Sequence, residues 1–347
     1  MEQVPVSIIT GFLGSGKTTL ISSLLNSDDM RNTALIINEF GEIGIDNLLV
    51  KSSVENTLLL ENGCVCCSIR GDLADTIAAL FAQAENKDIP FFDMILIETT
   101  GLAQPGPIVQ TVQTDISVNN RCRFDKVITV VDATAINQQV RLHQEPAKQI
   151  IQADLIYLSK TDISTRNHIN NAHHVITQLN PVASITDKID SQTLRKAIEN
   201  HPSKNECYIC TSDTHQHELG HEHEHGHQHQ QVHSHPHSET IDPDDHLAVF
   251  KNWSIQSTTP LDRNAFTNWL SSLYSFYPLS ILRLKGFVRF KGMSENLLIQ
   301  AVGPIFTEIK ATESQLEDNI AASLVFIFTD LDSAALEESF SHHVKNK

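Results

Sequence analysis

Basic residues are scarce in this sequence. Its 347 residues include 25 Lys and Arg against 42 Asp and Glu, a formal net charge of −17. Nucleic acid and anionic membrane surfaces both demand a basic footprint, so we expect neither as a partner. Long apolar runs are missing as well, and none approaches the ~18 residues of a membrane span. The first apolar stretch, "VPVSIITGFLG" at 4–14, lacks a basic leader and runs into a glycine-lysine motif. It reads as a strand rather than a signal peptide. The expected location is therefore cytoplasmic and reducing, where clustered cysteines serve as metal ligands or catalytic groups more often than as disulfides. There is no internal repeat, and the last hundred or so residues carry no chemical motif.

Apolar residues make up 40% of the chain and charged residues 19%, enough for real cores and too few charges for wholesale disorder. The first ~200 residues alternate strand-like runs with helical patterns, as in a doubly wound sheet. The strand candidates are 4–10, 33–40, 57–63, 91–99, 126–133 and 153–160. Helices are expected over 17–27, 71–85, 104–113, 145–152 and 164–179. Several of the strands are nearly continuous Val/Ile/Leu runs, which suits a mostly parallel sheet buried on both faces. Residues 215–237 then hold ten of the chain's 18 histidines without hydrophobic periodicity. The expected organisation is an α/β domain over 1–205, a His-rich flexible linker over 206–245 and a smaller α+β domain over 246–347.

"GFLGSGKT", Gly11–Thr18, fits G-x-x-x-x-G-K-[ST] between a strand and a helix, the context that motif requires. Gly11, Gly14, Ser15, Gly16, Lys17, Thr18 and Thr19 form the candidate phosphate cradle. Backbone N–H groups and the helix N-terminus would face the anion, Lys17 would reach the β- and γ-phosphates, and Thr18 would ligate Mg²⁺. "MILIETTG" (94–101) is an apolar strand ending in an acid. Glu98 is the candidate second Mg²⁺ ligand, and Gly101 the candidate γ-phosphate sensor. "SKTD" (159–162) resembles the guanine-selecting N-K-x-D element, with Lys160 and Asp162 in place and Ser159 where Asn is usual. GTP is favoured over ATP, although a serine offers no amide. Leu102 follows Gly101, where Ras-type proteins place a water-orienting Gln, so a slow intrinsic hydrolysis rate is expected.

"ENGCVCC" (61–67) gathers three of the six cysteines: Cys64, Cys66 and Cys67. In an extended chain Cys64 and Cys66 share a face and Cys67 points away. All three converge only if the backbone turns, which the flanking glycines allow. Zn²⁺ wants four tetrahedral ligands, so three thiolates leave one position open. Glu39 and Glu42 in "NEFGEIGID" (38–46) are the nearest candidates for it. A carboxylate from that segment would link metal affinity to nucleotide state. A buried apolar cluster and a redox pair remain as rival readings, though C-x-C-C is not the C-x-x-C spacing. Cys207 and Cys210 do have that spacing, and Cys122 stands alone as a structural residue. The histidine tract reads as a weak, unselective metal reservoir or a hydrophilic spacer.

"GFLGSGKTTL", "NEFGEIGID", "ENGCVCC", "IETTGLAQP", "VVDA" and "SKTD" occur in this order. Together they resemble the CobW-like metallochaperone GTPases, also called zinc-regulated GTPase metalloprotein activators. The likeness is strong over 4–162 and weaker in "LRLKGFVRF" and "LVFIFTDLD". It implies a SIMIBI-type P-loop fold, Mg²⁺-dependent GTP hydrolysis, a divalent metal at Cys64, Cys66 and Cys67, and delivery of that metal to a client apo-metalloprotein. The metal expected is Zn²⁺; the same machine loaded with cobalt or nickel, or a zinc store with incidental turnover, are the alternatives. A homodimer or a nucleotide- or metal-dependent oligomer is compatible with this reading.

Overall fold

The computed structural model describes residues 3–38, 50–54, 57–60, 65–68, 72–189, 191–192, 194, 206–208, 245–303, 305–310 and 320–345. Glu39, Glu42, Cys64, Cys210 and the 215–237 tract lie outside the described residues, and of Cys66, Cys67 and Cys207 only the backbone is described.

Among the described residues the first domain is built on a nine-stranded sheet of order β3-β4-β5-β2-β6-β1-β7-β8-β9. Its strands are β1 (Val4–Thr10), β2 (Thr33–Asn38), β3 (Val50–Val54), β4 (Thr57–Leu60), β5 (Val65–Ser68), β6 (Met94–Thr99), β7 (Cys122–Asp132), β8 (Leu155–Ser159) and β9 (Ser184–Thr186). β5, β2, β6, β1, β7, β8 and β9 run parallel, while β3 and β4 form an antiparallel flap on one edge. The central strands are buried on both faces, which is why they read as unbroken aliphatic runs. Period two still sorts them. Val4, Val6 and Ile8 of β1 and Ile95 and Ile97 of β6 join one core. Ile9, Met94 and Leu96 join the core on the opposite face.

Helices α1 (Lys17–Leu25), α2 (Leu73–Glu85), α3 (Gly106–Thr114), α4 (Ile116–Asn119), α5 (Ile136–Leu142), α6 (Glu145–Ile151) and α7 (Arg166–Leu179) cover the two faces. Local chemistry sets their starts. Asp72 accepts from the Ala74 amide at the N-cap of α2, and Thr165 from the His168 amide at that of α7. Such caps satisfy N–H groups that the first helical turn cannot.

The second domain is an antiparallel sheet of order β10-β14-β13-β12-β15-β11 among the described residues. It comprises β10 (Glu206–Tyr208), β11 (Lys251–Ser257), β12 (Ile281–Val288), β13 (Leu297–Val302), β14 (Ile305–Lys310) and β15 (Ala322–Phe328). With it go α8 (Asp245–Ala248), α9 (Arg263–Phe276) and α10 (Ser333–Phe340). From its sequence pattern this domain is expected to hold strands at 246–257, 279–290, 295–310 and 323–329 framing helices at 262–276 and 332–344, and the structure corrects two of these. The stretch 295–310 is a hairpin rather than one strand, because Gly303, at φ 68°, turns the chain between β13 and β14. The stretch 246–257 opens as helix α8 before β11 begins. Trp253, Phe266, Trp269, Phe326 and Phe340 pack edge-on or tilted between the sheet and its helices.

The other face of this sheet packs on the first domain. A register irregularity between Ile281 and Arg283 of β12 leaves Ile281 and Leu284 in the aromatic core. Leu282 instead joins Ile151, Leu158 and Ile176 of the first domain. This is the re-aiming that a β-bulge provides. Val302 packs with Ile108, Val109 and Val112 of α3.

Cys122, at the start of β7, is fully buried, and burial pushes its thiol up to about 12. A thiol so placed is unreactive. Peptide mapping after brief alkylation at neutral pH should find Cys122 unmodified in the folded chain and modified only after denaturation.

Candidate functional site

The glycine-rich loop leaves the C-terminal end of β1 and enters α1. Gly11 sits at φ 145°, and a Cβ on it would lie 2.3 Å from the Val130 carbonyl oxygen, so only glycine lets the loop lie this close to β7. Gly14 and Gly16 also have positive φ, and Gly16 caps α1. The Lys17 side chain is buried and folds back across the loop, donating to the Gly11 carbonyl at 2.9 Å and to that of Phe12 at 3.4 Å. Its ammonium therefore sits within the ring of the cradle. Ser15 Oγ is buried with no partner among the described residues.

Glu98 lies on β6, on the same strand face as Leu96, toward the α1 side of the sheet. Thr18 is in the first turn of α1, and its hydroxyl is 3.4 Å from Glu98 Oε1. Two oxygens ligating one Mg²⁺ at cis octahedral positions would stand about 3 Å apart. The pair fits that ion with little adjustment. Gly101 approaches from the next loop, where a Cβ would come within 2.5 Å of Leu13 Cδ2. Lys17, Thr18, Glu98 and Gly101, predicted from separate motifs, are thus gathered around one cradle. Thr19 is exposed on α1 beside them.

The candidate guanine-selecting element carries Ser159 where the N-K-x-D pattern has Asn. Ser159, at the end of β8, is buried, with its hydroxyl 2.6 Å from the Ser15 carbonyl and 3.1 Å from that of Val131. The hydroxyl has one proton, so it donates to one of these at a time, and in either case it ties β8 to its neighbours. Serine does here, on the loop backbone, a tethering job for which no amide is needed. Ser159→Ala should cost about 1 kcal/mol. Urea unfolding should register the loss as a lower midpoint with an unchanged slope. Lys160 adopts φ 57°, and its ammonium bonds Asp132 Oδ2 at 2.6 Å. Asp132 also accepts from the Thr134 amide at 2.9 Å and hydroxyl at 2.6 Å. Burial pushes the Asp132 carboxyl up, but hydrogen bonds from Lys160 and Thr134 outweigh this and leave its pKa lowered. Asp162 is exposed at the turn that follows.

The cysteine motif is not a continuation of one strand. Thr57–Leu60 is antiparallel β4, and Cys66 and Cys67 belong to a separate strand, β5, paired in parallel with β2. Cys66 is level with Leu35 and Cys67 with Ile36. Ser68 is level with Ile37, which is level with Glu98, which is level with Ile9. β5 therefore stands two strand spacings from Glu98, about 10 Å. Among the described residues no group of three His, Cys, Asp or Glu could hold a metal; Cys64, Glu39 and Glu42 are outside them.

Motif reading missed Asp132, Gln149, Gln152 and Asp154. Asp132 lay in plain view within "VVDA". The two glutamines on and just after α6 resemble ordinary helix-surface residues in sequence, yet Gln149 is fully buried and Gln152 nearly so.

Comparison with known proteins agrees with this architecture. Residues 5–187 match the family model described as CobW/HypB/UreG, nucleotide-binding domain, and residues 250–344 match the cobalamin synthesis protein cobW C-terminal domain. The chain is 31% identical over 369 residues to the zinc chaperone CobW of Pseudomonas aeruginosa, covering 97% of this chain and 90% of that protein. To the zinc chaperone YjiA of Escherichia coli it is 36% identical over 189 residues, covering 54% of this chain and 58% of that protein. The crystal structure of Zn(II)-bound YjiA GTPase from E. coli superposes with a TM-score of 0.71 at 25% identity, covering 99% of each chain. With a P-loop parallel sheet, an appended antiparallel domain and both family matches, the chain belongs to the CobW/HypB/UreG family.

Proposed function

We propose that the chain is a cytoplasmic GTPase that binds Zn²⁺ and hands it to a client apo-metalloprotein, with hydrolysis coupled to release. The loop N–H groups and Lys17 hold the phosphates. Thr18 and Glu98 would hold Mg²⁺, which when bound neutralises charge building on the β- and γ-phosphate oxygens. Gly101 follows the γ-phosphate, Lys160 and Asp162 face the base, and Leu102 supplies no group to orient water, so intrinsic turnover is slow. Zn²⁺, the cargo, is held by the thiolates of Cys64, Cys66 and Cys67 with Glu39 or Glu42 completing the set.

The observation that carries this reading is the strand row Ser68–Ile37–Glu98. β2 alone separates the cysteine strand from the strand bearing the Mg²⁺ acid, and β2 runs directly into the segment holding Glu39 and Glu42. On this reading the stretch that follows β2 serves both cargo and nucleotide. Relatives named zinc chaperones support zinc over cobalt or nickel. If the reading holds, Zn²⁺ affinity measured by competition with a chromogenic chelator differs between GTP-analogue and GDP states by at least about fivefold. Equal affinities would break the coupling. Deleting 215–237 separates delivery from storage: a carrier keeps one tight site and its GTPase activity, whereas a store loses most of its capacity.

A further inference from the structure

The segment Gly101–Gly106, between the strand that bears Glu98 and helix α3, is held by two amide side chains from one place. Gln149 Nε2 donates to the Gly101 carbonyl at 3.1 Å and to that of Ala103 at 2.9 Å. Gln152 Oε1 accepts from the Gly106 amide at 3.1 Å. The two are three residues apart, so they leave α6 on one face. Thr129 of β7 fixes the helix in turn, its hydroxyl donating to the Gln149 carbonyl at 2.9 Å.

The same helix end meets the second domain. Arg283 of β12, fully buried, has Nη1 3.5 Å from the Gln152 carbonyl, and its Nη2 bonds Asp154 Oδ1. Lys285 reaches the same oxygen at 3.1 Å, while the Val127 amide donates to Asp154 Oδ2 at 3.1 Å. A continuous set of buried polar contacts therefore runs from Gly101 through α6 to the antiparallel sheet. α3, which begins at Gly106, packs on that sheet through Val302.

We infer that Gln149 and Gln152 are positioning residues that hold the Gly101–Gly106 segment for γ-phosphate sensing and tie its position to Arg283 of the second domain. The inference rests on the guanine-nucleotide reading given above. The second domain then biases the nucleotide preference of the first, and by linkage the nucleotide biases the second domain. Gln149 matters because it meets two carbonyls that only a donor can satisfy. Methionine keeps its length and volume and removes both bonds.

The test uses the full chain with Mg²⁺ and fluorescent GDP or a non-hydrolysable GTP analogue. Gln149→Met should shrink the preference for analogue over GDP by at least about fivefold, while GDP affinity stays within twofold of the parent. A merely structural role would weaken both nucleotides alike, and an unchanged ratio in a folded variant overturns the inference. Amide hydrogen exchange on the unmutated chain removes any dependence on the variant folding. Swapping GDP for the analogue should alter exchange both at 101–106 and at 281–288 in β12. A response at 101–106 with none in β12 overturns the tie to the second domain. Failure of either nucleotide to bind at all would instead sink the GTPase reading, and this inference with it.

Discussion

Asp154→Ala should be the most destabilising single substitution at the join between the two domains, costing about 3–5 kcal/mol. Asp154 is met by Arg283, which is wholly inaccessible to solvent, and by Lys285. Removing the carboxylate leaves a buried guanidinium with no counter-charge, the situation in which a buried pair becomes expensive. The midpoint of thermal unfolding should fall on the order of 10 °C. Because the lost contacts lie between the domains, the single transition should split into two. The double variant Asp154→Leu/Arg283→Met should recover much of the loss, since a well-packed apolar pair can replace a buried ion pair. Burial pushes the Asp154 carboxyl up, but Arg283 and Lys285 overcome this and hold it well below the usual carboxylate range. The folded-state pKa is thus depressed, so the stabilisation is complete above the unfolded value of about 3.9 and drains away as pH falls below it. Urea unfolding at pH 7 and at pH 3 should therefore reveal a gap between parent and Asp154→Asn that is wide at the first and narrower at the second. A gap independent of pH would contradict the ion-pair assignment.

Much of the first domain is legible in the sequence because its physics is local. A strand buried on both faces has to be aliphatic, and the runs expected at 4–10 and 91–99 are β1 and, from Met94 onward, β6. The glycine loop announced itself because a phosphate cradle needs positive φ and close backbone approach at fixed spacing. What escaped depends on distant partners. β7 begins at Cys122 rather than at the expected Lys126, because Arg123 and Asp125 look like a loop; yet Asp125 is buried and accepts from the Ser7 hydroxyl at 2.8 Å. β5 is four residues long, too short for a period to be legible, and it merged in the sequence with β4. α5, "INQQVRL", is polar enough to pass for a connection. Asp154 was legible only as a strand residue, since Arg283 lies 129 positions away. At the candidate site the residues proposed to face phosphate were named from motif spacing. The amides of Gln149 and Gln152 were not, because their role is fixed by what α6 packs against rather than by any local pattern.

Lys17→Ala should reduce GTP turnover by roughly 10²–10³-fold, the scale seen when one preorganised charge or donor is taken from a water-excluded site. Lys17 is about nine-tenths buried, so its charge acts with little solvent screening. Its ammonium already lies within the ring of loop carbonyls, so it needs no large rearrangement to meet a phosphate. Lys17→Arg should not restore activity: the planar guanidinium is wider than an ammonium, and a cradle closed by Gly11 against Val130 has no room for the fork. The fold should be spared, because α1 keeps its apolar contacts through Leu20, Ile21 and Leu24. Unfolding without nucleotide should therefore match the parent, and single-turnover hydrolysis within threefold of the parent would remove Lys17 from the phosphate site. The variant also separates the two halves of the proposed mechanism. Zn²⁺ binding in the absence of nucleotide should be unaltered, since none of the proposed thiolates or carboxylates is touched. The difference in Zn²⁺ affinity between GTP-analogue and GDP states should disappear, because the γ-phosphate would no longer be held where Gly101 and the segment after β2 can respond to it.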